Sequence, residues 1–412
     1  MKHFVVIPFF LLLALCSLPG TLPGGEATVV PGIEILVNGR RDLIAGKRVG
    51  VITNPTGLDR ALRPTPALIA AVPGVRVVAL FSPEHGINGG LQNFIPHGAD
   101  GKTGVPVFSL HGETRRPTPE MLKDIDVLVF DIQDIGARSY TYVTTMRYCM
   151  EAAAKHNIPF IVCDRPNPVN GVTVDGPVLD PKFSSFIGAG PTAYLHGMTI
   201  GELARFFNAE LGINSALTVV PMKGWHRSMT WRDTGLVWTP PSPHIPEPDT
   251  PWFYPATGIM GELSGFSVGV GYTLPFKIVG APWIDADGFC RILNGKNLPG
   301  VFFQPFHYAP YYREFQDVYC AGCRIIITDE KTFKPVATGY HIFETLLKQY
   351  PSRVAFSLPE NAKRISMFDN ANGTDRVRRL FADGASADSV IAWYAPALEA
   401  FKKKREQYLL YH

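Results

Sequence analysis

Charged residues are scarce in this sequence, and clustered positive charge is scarcer still. Only 18% of the 412 residues are charged, the formal net charge is +3, and no Lys- or Arg-rich block precedes the last predicted helix. The basic run at 402–405 is interpreted as the solvated face of that helix. Because a nucleic-acid-binding surface needs clustered positive charge, the composition argues against nucleic acid as a partner.

Signatures of common cofactor and metal sites are also missing. No G-x-G-x-x-G follows the first predicted strand, and neither G-x-x-x-x-G-K-[ST] nor H-E-x-x-H occurs. These patterns hold dinucleotides, nucleotide phosphates and zinc, respectively. The histidines are scattered along the chain, so we predict an activity that uses no cofactor and no metal ion.

Cysteine is rare. Beyond the first 27 residues there are five: Cys149, Cys163, Cys290, Cys320 and Cys323. An odd number argues against a complete disulfide framework, and the C-x-x-C at 320–323 has no second pair to complete a metal site. Cys320 and Cys323 are therefore expected to form either a local disulfide or two plain thiols.

The N-terminus has the pattern of an export signal. Lys2 and His3 precede an almost wholly apolar run at residues 4–18, and small residues follow as far as Ala27. The run is short for a membrane span and is typical of a signal peptide over residues 1–27. The predicted location is periplasmic or extracellular. An uncleaved anchor, or lipidation at Cys16, is the alternative, and no later stretch is predicted to span a membrane.

Residues 28–245 predict an α/β fold. Short apolar runs that end in polar residues alternate with helix-like segments, and the runs lie at 47–53, 75–81, 105–110, 126–131 and 158–163. Continuous apolar strands suit a parallel sheet that is buried on both faces. We therefore predict a Rossmann-like, doubly wound, mostly parallel sheet. Helices are expected at 140–156 and, from a capping box at 199–202, as far as 211.

The second part of the chain has a different pattern. The Pro-rich stretch 240–248 interrupts regular structure, either as a linker or as an ordered loop beside a cleft. Residues 246–412 contain aromatic strand-like runs followed by helices, and they predict a smaller C-terminal α+β domain. A long terminal helix is expected at 386–411, with a kink or break at Pro396.

Polar residues follow several of the predicted strands. In open parallel sheets, ligands bind beyond the carboxyl ends of the strands. The side chains predicted to gather at that edge are Asn54, Glu84, His85, Asp131, Gln133, Asp134, Asp164, Arg165 and Asn167. Capping of loops and turns explains such residues equally well at Asp134, Asn167 and Asn170, so both readings stay open there.

Glu84 is the strongest catalytic candidate. It lies between Pro83 and His85, directly after an apolar strand. A carboxyl in that position is partly shielded from water, which favours the protonated form that a general acid needs. The alternative is a salt-bridged Glu at a helix start. His85 is expected to bind substrate, to orient Glu84, or to bond to the backbone.

The segment after the 126–131 strand suits sugar recognition. Asp131 and Gln133 alternate, so they are expected to face the same side, and Arg138 and Tyr140 follow closely. Arginine donors and flat aromatic faces beside carboxylates are what sugars and carboxylates require. A structural Arg–Asp pair with core tyrosines is the alternative.

Seven motifs together resemble the bacterial family of peptidoglycan exo-β-N-acetylmuramidases. They cover 83–86 (PEHG), 126–134 (DVLVFDIQD), 136–142 (GARSYTY), 164–168 (DRPNP), 176–180 (GPVLD), 196–199 (HGMT) and 281–285 (APWID). The resemblance runs from about residue 32 to 411. It implies a Rossmann-like catalytic domain, a smaller C-terminal domain and a cleft between them. The implied activity is removal of N-acetylmuramic acid from the non-reducing ends of wall fragments.

The resemblance also implies roles for individual residues. Glu84 matches the family's acid/base glutamate. Asp175 stands where many members have Glu, and Asp175, Asp131 and Asp164 are the candidates for a second acid, unless the substrate's own 2-acetamido group assists. Val268 and Val270 replace a Glu and an Arg of the family pattern, and Glu262 is the nearby candidate to supply the lost acid.

The sequence thus predicts an exo-acting glycosidase on an amino-sugar or muropeptide substrate. A non-catalytic protein that binds cell-wall sugars, or an amidase or esterase acting on wall fragments, remains as an alternative. The oligomeric state and the choice between a retaining and an inverting reaction stay open.

Overall fold

The structure is a computed structural model that describes residues 29–90 and 96–412. The predicted signal peptide, residues 1–27, and Cys16 within it lie outside the described residues. In the part of the chain that is described, no helix has the length and apolar character needed to cross a bilayer.

A seven-stranded sheet forms the first half of the chain. Its strands are β1 (Arg48–Thr53), β2 (Arg76–Ser82), β3 (Gly98–Ala99), β4 (Pro106–Ser109), β5 (Val127–Asp131), β6 (Phe160–Cys163) and β7 (Leu217–Val220). Their order is β3-β4-β2-β1-β5-β6-β7, and every neighbouring pair is parallel except β3 with β4. The predicted mostly parallel α/β sheet is confirmed, with strand ends within about two residues of those predicted.

Both faces of this sheet are buried, as continuous apolar strands require. Val127 and Val129 of β5 belong to one apolar cluster, whereas Leu128 and Phe130 belong to another. Helices cover the two sides: α1 (Gly32–Gly39) and α2 (Thr65–Ala70) contribute to the first cluster, and α4 (Tyr142–Lys155) and α5 (Ile200–Glu210) to the second; the short α3 spans Pro119–Leu122. The sheet is therefore doubly wound.

A smaller α+β region follows. Strands β8 (Ile278–Ala281), β9 (Val301–Tyr308) and β10 (Cys320–Ile327) form an antiparallel sheet in the order β8-β10-β9. The helices are α6 (Thr250–Thr257), α7 (Ala286–Gly295), α8 (Pro335–Gln349), α9 (Ile365–Asn372), α10 (Arg376–Ala382) and α11 (Ala387–Arg405). Pro396 lies inside α11, and a 3-10 turn at Glu406–Tyr408 ends the predicted terminal helix earlier than expected.

The two regions share one continuous core. The larger apolar cluster includes Phe81 and Phe130 of the first sheet and Phe343 and Phe401 of the C-terminal helices. The last residues return to the first sheet, where the Tyr411 hydroxyl donates to Asp164 Oδ2 over 2.6 Å. The C-terminal region is thus fastened to the parallel sheet.

The five cysteines of the described chain are free and buried. Cys320 and Cys323 lie three residues apart on β10, so their side chains point to opposite faces of the strand. Of the two predicted arrangements, the structure has the plain thiols.

The predicted capping box at the start of α5 is present. Thr199 Oγ1 accepts from the Glu202 backbone N–H, and Glu202 Oε2 accepts from the Thr199 N–H over 3.0 Å. The same hydroxyl donates to Asp164 Oδ2 over 2.7 Å. One buried side chain therefore joins α5 to the end of β6.

We predict that Thr199→Ala lowers the free energy of unfolding by about 1–2 kcal/mol, because it removes the cap and one donor to a buried carboxyl. Urea denaturation measures this change. Thr199→Ser keeps the hydroxyl and is the matched control, which should remain close to the wild type. Equal stability of the Ala and Ser variants would show that the hydroxyl contributes nothing.

Candidate active site

The carboxyl ends of the parallel strands bring polar side chains to one edge of the sheet. Asn54 follows β1, Glu84 follows β2, His111 follows β4, Asp134 follows β5 and Asp164 follows β6. The strand order therefore places these residues in the sequence His111, Glu84, Asn54, Asp134, Asp164 along the edge. Some of these residues use their polar atoms in hydrogen bonds or ion pairs within the protein, whereas others keep a polar atom that is free of such contacts in the part of the chain that the structure describes.

Glu84 faces the cleft. Its side chain is 31% exposed, and its Oε2 accepts a 2.7 Å hydrogen bond from the hydroxyl of Thr141, at the start of α4. His85, the next residue, has a left-handed φ of 71° and lets the chain turn sharply after β2. A strand end, a tight turn and a helix start thus combine to hold one carboxyl at the cleft.

His111 is the partner that the sequence interpretation missed. Its Nε2 lies 3.6 Å from Glu84 Oε1, and its Nδ1 has no hydrogen-bond partner among the described residues. Burial lowers the pKa of His111, the Glu84 carboxylate opposes that effect, and Arg115 and His85 reinforce it. The position directly after β4 was the available signal, because the rule that selected Glu84 also selects this residue.

Aromatic side chains form the next wall of the site. The rings of Tyr140 and Tyr142 lie 4.8 Å apart, and Tyr254 of α6 lies 6.2 Å from Tyr140. The Tyr142 hydroxyl donates to the carbonyl of Pro241. The Pro-rich stretch is therefore the ordered loop beside the cleft rather than a free linker. Tyr140, which the sequence analysis named as a candidate for sugar recognition, lies in this wall. Tyr254 lies there too and was not among the candidates.

Asn54 lies beside these tyrosines. Its Oδ1 accepts from the backbone and hydroxyl of Thr56 at 2.9 and 2.6 Å, while its Nδ2 has no partner among the described residues. Burial raises the pKa of Tyr142 above its usual range, and the Asn54 side chain opposes this effect. One half of the amide is fixed by the turn, and the other half faces the Tyr142 hydroxyl.

Asp131 and Arg165 form a buried ion pair within the protein. Arg165 donates to both carboxylate oxygens of Asp131, at 2.5 Å from Nε and 2.8 Å from Nη2, and Thr65 donates to the same carboxylate. Gln133 Nε2 donates to the carbonyls of Asp134 and Pro166. Gln133 and Arg165 border a cavity of only about 30 Å³, too small for a sugar.

Asp164, Asn167 and Asn170 are also engaged internally. Asp164 accepts from Thr199, Tyr411 and the Gly201 N–H, and burial raises its pKa to about 7. Asn167 binds the Met198 carbonyl and the Val169 N–H, and Asn170 accepts from the two N–H groups of residues 172 and 173. These contacts are the loop-capping alternative named above.

Arg138 and Asp175 connect the two regions. Arg138 is buried and donates to three carbonyls, those of Pro177, Thr192 and Ala371. Asp175 accepts from two N–H groups at the start of α8, and from Tyr394 and its neighbour Gly176. The structure does not bring either residue into contact with Glu84, and both have the partners of structural residues.

Asp134 differs from Asp131, Asp164 and Asp175 because one of its carboxyl oxygens accepts no hydrogen bond from the described residues. Oδ2 accepts from the Gly136 N–H over 2.7 Å, whereas the buried Oδ1 has no partner among the described residues. Burial raises the pKa of this carboxyl to about 7. His196 Nε2 lies 3.9 Å from Asp134 Oδ2. This nitrogen carries the ring proton, because the other ring nitrogen, Nδ1, accepts from the Met198 N–H.

A cavity of about 770 Å³ opens on the C-terminal side of these residues. Its walls include Tyr254, Glu262, Val268, Val270 and Arg313. Burial raises the pKa of Glu262, and both Glu84 and Glu262 raise that of the Tyr254 hydroxyl. Tyr254 thus lines the cavity and contacts Tyr140, and it is the residue that connects the cavity with the part of the sheet edge that carries Glu84.

The letters G-x-S-x-G occur at 265–269, yet the local structure is not a serine-hydrolase elbow. Ser267 is buried and bridges Gly280, and its Oγ accepts from the Gly269 N–H over 3.2 Å. A nucleophile elbow needs an exposed Ser at a strand-to-helix turn. Across the described residues, no group of three His, Cys, Asp or Glu side chains is arranged to hold a metal ion.

Comparison with known proteins agrees with this architecture. Two family models, "Exo-beta-N-acetylmuramidase NamZ, N-terminal" and "C-terminal", match residues 49–249 and 252–411. The peptidoglycan beta-N-acetylmuramidase NamZ of Bacillus subtilis (strain 168) is 42% identical over 385 residues, which are 93% of this chain and 91% of that protein.

Two crystal structures of DUF1343 family proteins from Bacteroides fragilis NCTC 9343 are also similar. One has a TM-score of 0.90 and 42% identity, over 94% of this chain and 100% of its own; the other has 0.73 and 29%, over 93% and 99%. The family models together span most of the chain, and the Bacillus relative exceeds 30% identity along nearly its whole length. The chain therefore belongs to the exo-β-N-acetylmuramidase NamZ family.

Proposed function

We propose that this chain is a glycoside hydrolase that releases N-acetylmuramic acid from the non-reducing ends of peptidoglycan fragments. The proposal rests on Glu84, a partly exposed carboxyl beyond the end of β2, in a chain whose relatives are named for this reaction.

Glu84 serves as the general acid. Because Oε2 already accepts from the Thr141 hydroxyl, the acid proton belongs on Oε1. From there it passes to the glycosidic oxygen as the bond to the sugar breaks. Thr141 thus fixes which oxygen of the carboxyl carries the proton.

His111 faces the oxygen of Glu84 that is assigned the acid proton. The lowered pKa of the half-buried imidazole makes it a weak competitor for a proton shared with the carboxyl. An imidazolium at 3.6 Å would instead favour the ionised form of Glu84, which is useless as an acid. A neutral His111 therefore adds no positive charge beside the carboxyl.

Asp134 is the second carboxyl that its hydrogen bonds favour. Asp131, Asp164 and Asp175 have oxygens that are filled by hydrogen bonds or an ion pair, whereas Asp134 Oδ1 is unpartnered. A second carboxylate stabilises the positively charged sugar in the transition state or positions the group that attacks it. Asp134 also acts on the pKa values of Tyr140 and Tyr142, which wall the site.

We predict that Glu84→Gln lowers kcat for an aryl N-acetyl-β-muraminide by about 10²–10⁴-fold, because the amide cannot donate the acid proton. Release of the aryl alcohol and of N-acetylmuramic acid, followed by absorbance and mass, measures the loss. Glu120→Gln, an exposed carboxyl on α3, is the control and should retain full turnover. Undiminished turnover by Glu84→Gln would remove Glu84 from this role.

The same assay tests the second acid. Asp134→Asn is isosteric with the neutral carboxyl, so the expected result is a fall in kcat with little change in KM. Asp175→Asn is expected to act on stability and not on kcat in the folded enzyme, because its carboxyl caps α8. A normal kcat in Asp134→Asn would leave the substrate's 2-acetamido group as the internal assistant.

A fixed positive charge at position 111 should shift the pH profile. In His111→Arg the guanidinium stabilises ionised Glu84, so the high-pH limb of kcat/KM is expected to move to lower pH by about 1 unit or more. His111→Gln is neutral at every pH and should leave that limb in place. An unshifted limb in the Arg variant would show that His111 does not influence the proton on Glu84.

We further propose that the protein is exported. The apolar run at residues 4–18, its basic start and the small residues after it support this, and peptidoglycan lies outside the cytoplasm. Fractionation of expressing cells should find a processed chain, shortened by about 27 residues, outside the cytoplasm. A full-length cytoplasmic chain contradicts export, and a lipid-modified membrane-bound form would indicate lipidation at Cys16.

A further inference from the structure

The cavity that Tyr254 lines carries more positive than negative side chains. Its walls include three cations, Arg313, Lys363 and Arg364, against two acids, Glu262 and Glu314. The remaining wall is largely apolar and includes the two valines at 268 and 270. A cavity of this composition suits a ligand that has both an apolar part and a negative charge.

Neither cavity arginine has a close carboxylate partner among the described residues. In the described part of the chain neither takes part in an ion pair, although both lie close enough to Glu262 to oppose the effect of burial on its pKa. Guanidinium groups bind carboxylates through parallel hydrogen bonds, and an arginine without such a partner beside a cavity is available to a ligand.

Arg313 is held in place by a strained loop. Arg313, Phe315 and Asp317 all have left-handed φ values, of 68°, 61° and 59°. The loop is fastened from both sides, because Tyr311 N donates to the Gly271 carbonyl over 2.7 Å and Tyr312 bonds to His244 over 2.7 Å. Such strain persists where the surroundings over-determine a conformation, which is common at binding sites.

Gly271 is needed for this attachment. Its φ is 102°, and a Cβ there would lie 2.0 Å from the carbonyl oxygen of Tyr312. Only glycine allows the 311–313 loop to approach this closely. The backbone that carries Val270 thus also sets the position of Arg313.

We infer that Arg313 and Arg364 bind the lactyl carboxylate of the muramic acid residue and thereby select this sugar over N-acetylglucosamine. The inference rests on the proposed function. The two sugars differ by the lactyl ether, which adds one carboxylate and one methyl group. The arginines match the carboxylate, and Val268 and Val270 match the methyl group.

The test uses two aryl N-acetyl-β-muraminides, one with the free lactyl carboxylate and one with its methyl ester. The wild type should have a kcat/KM about 10- to 100-fold higher for the free acid, as expected for a charged hydrogen-bonded contact. The double variant Arg313→Gln/Arg364→Gln should lose this preference, mainly through a higher KM for the free acid. Each single variant should lose part of it.

Arg291→Gln is the control, since it removes an exposed arginine of α7 away from the cavity and should keep the full preference. Both cavity arginines are exposed, so their substitution leaves the core intact. An unchanged preference in the double variant, or no preference in the wild type, overturns the inference. Failure of the wild type to cleave either compound would instead overturn the proposed function.

Discussion

The parallel register of β2, β1 and β5 is the constraint on which the site depends. Ile52 pairs with Phe81 on one side and with Phe130 on the other, so the three strands end at the same level. Because both faces of these strands are buried, a slip in register would exchange side chains between the two apolar clusters and disrupt the packing of each. The turn that carries Glu84 can therefore project only beyond this edge, opposite the start of α4.

The acids at this edge differ in what they can do because they differ in their neighbours. Asp131 is neutralised by Arg165, and Asp164 and Asp175 are surrounded by donors that join β6, α5, α8 and α11. Those carboxyls stabilise the fold. Glu84 and Asp134 keep an oxygen that the fold does not use. In the proposed mechanism, catalysis uses the carboxyls whose hydrogen bonds are incompletely satisfied, at a cost in stability that the doubly buried sheet offsets.

Much of the fold was predictable from the sequence, because apolar runs indicate buried strands and the polar residues after them indicate the edge of the sheet where ligands bind. The sheet, the capping box at Thr199 and the position of Glu84 follow from local patterns. His111 was missed although it obeys the same strand-end rule. Tyr254 and Arg313 were not accessible to such reasoning, since they reach the site from the C-terminal region through long-range packing. Pattern alone also cannot distinguish a carboxyl with all its donors, such as Asp175, from one that is free to react.

The most direct test of the account is a crystal structure of the Glu84→Gln variant with a bound N-acetylmuramyl-containing disaccharide. The account predicts that the glycosidic oxygen lies within hydrogen-bond distance of the residue 84 side chain, and that the muramic acid ring extends past Tyr254 towards Arg313. A disaccharide bound elsewhere, with residue 84 out of reach of the glycosidic bond, would contradict it.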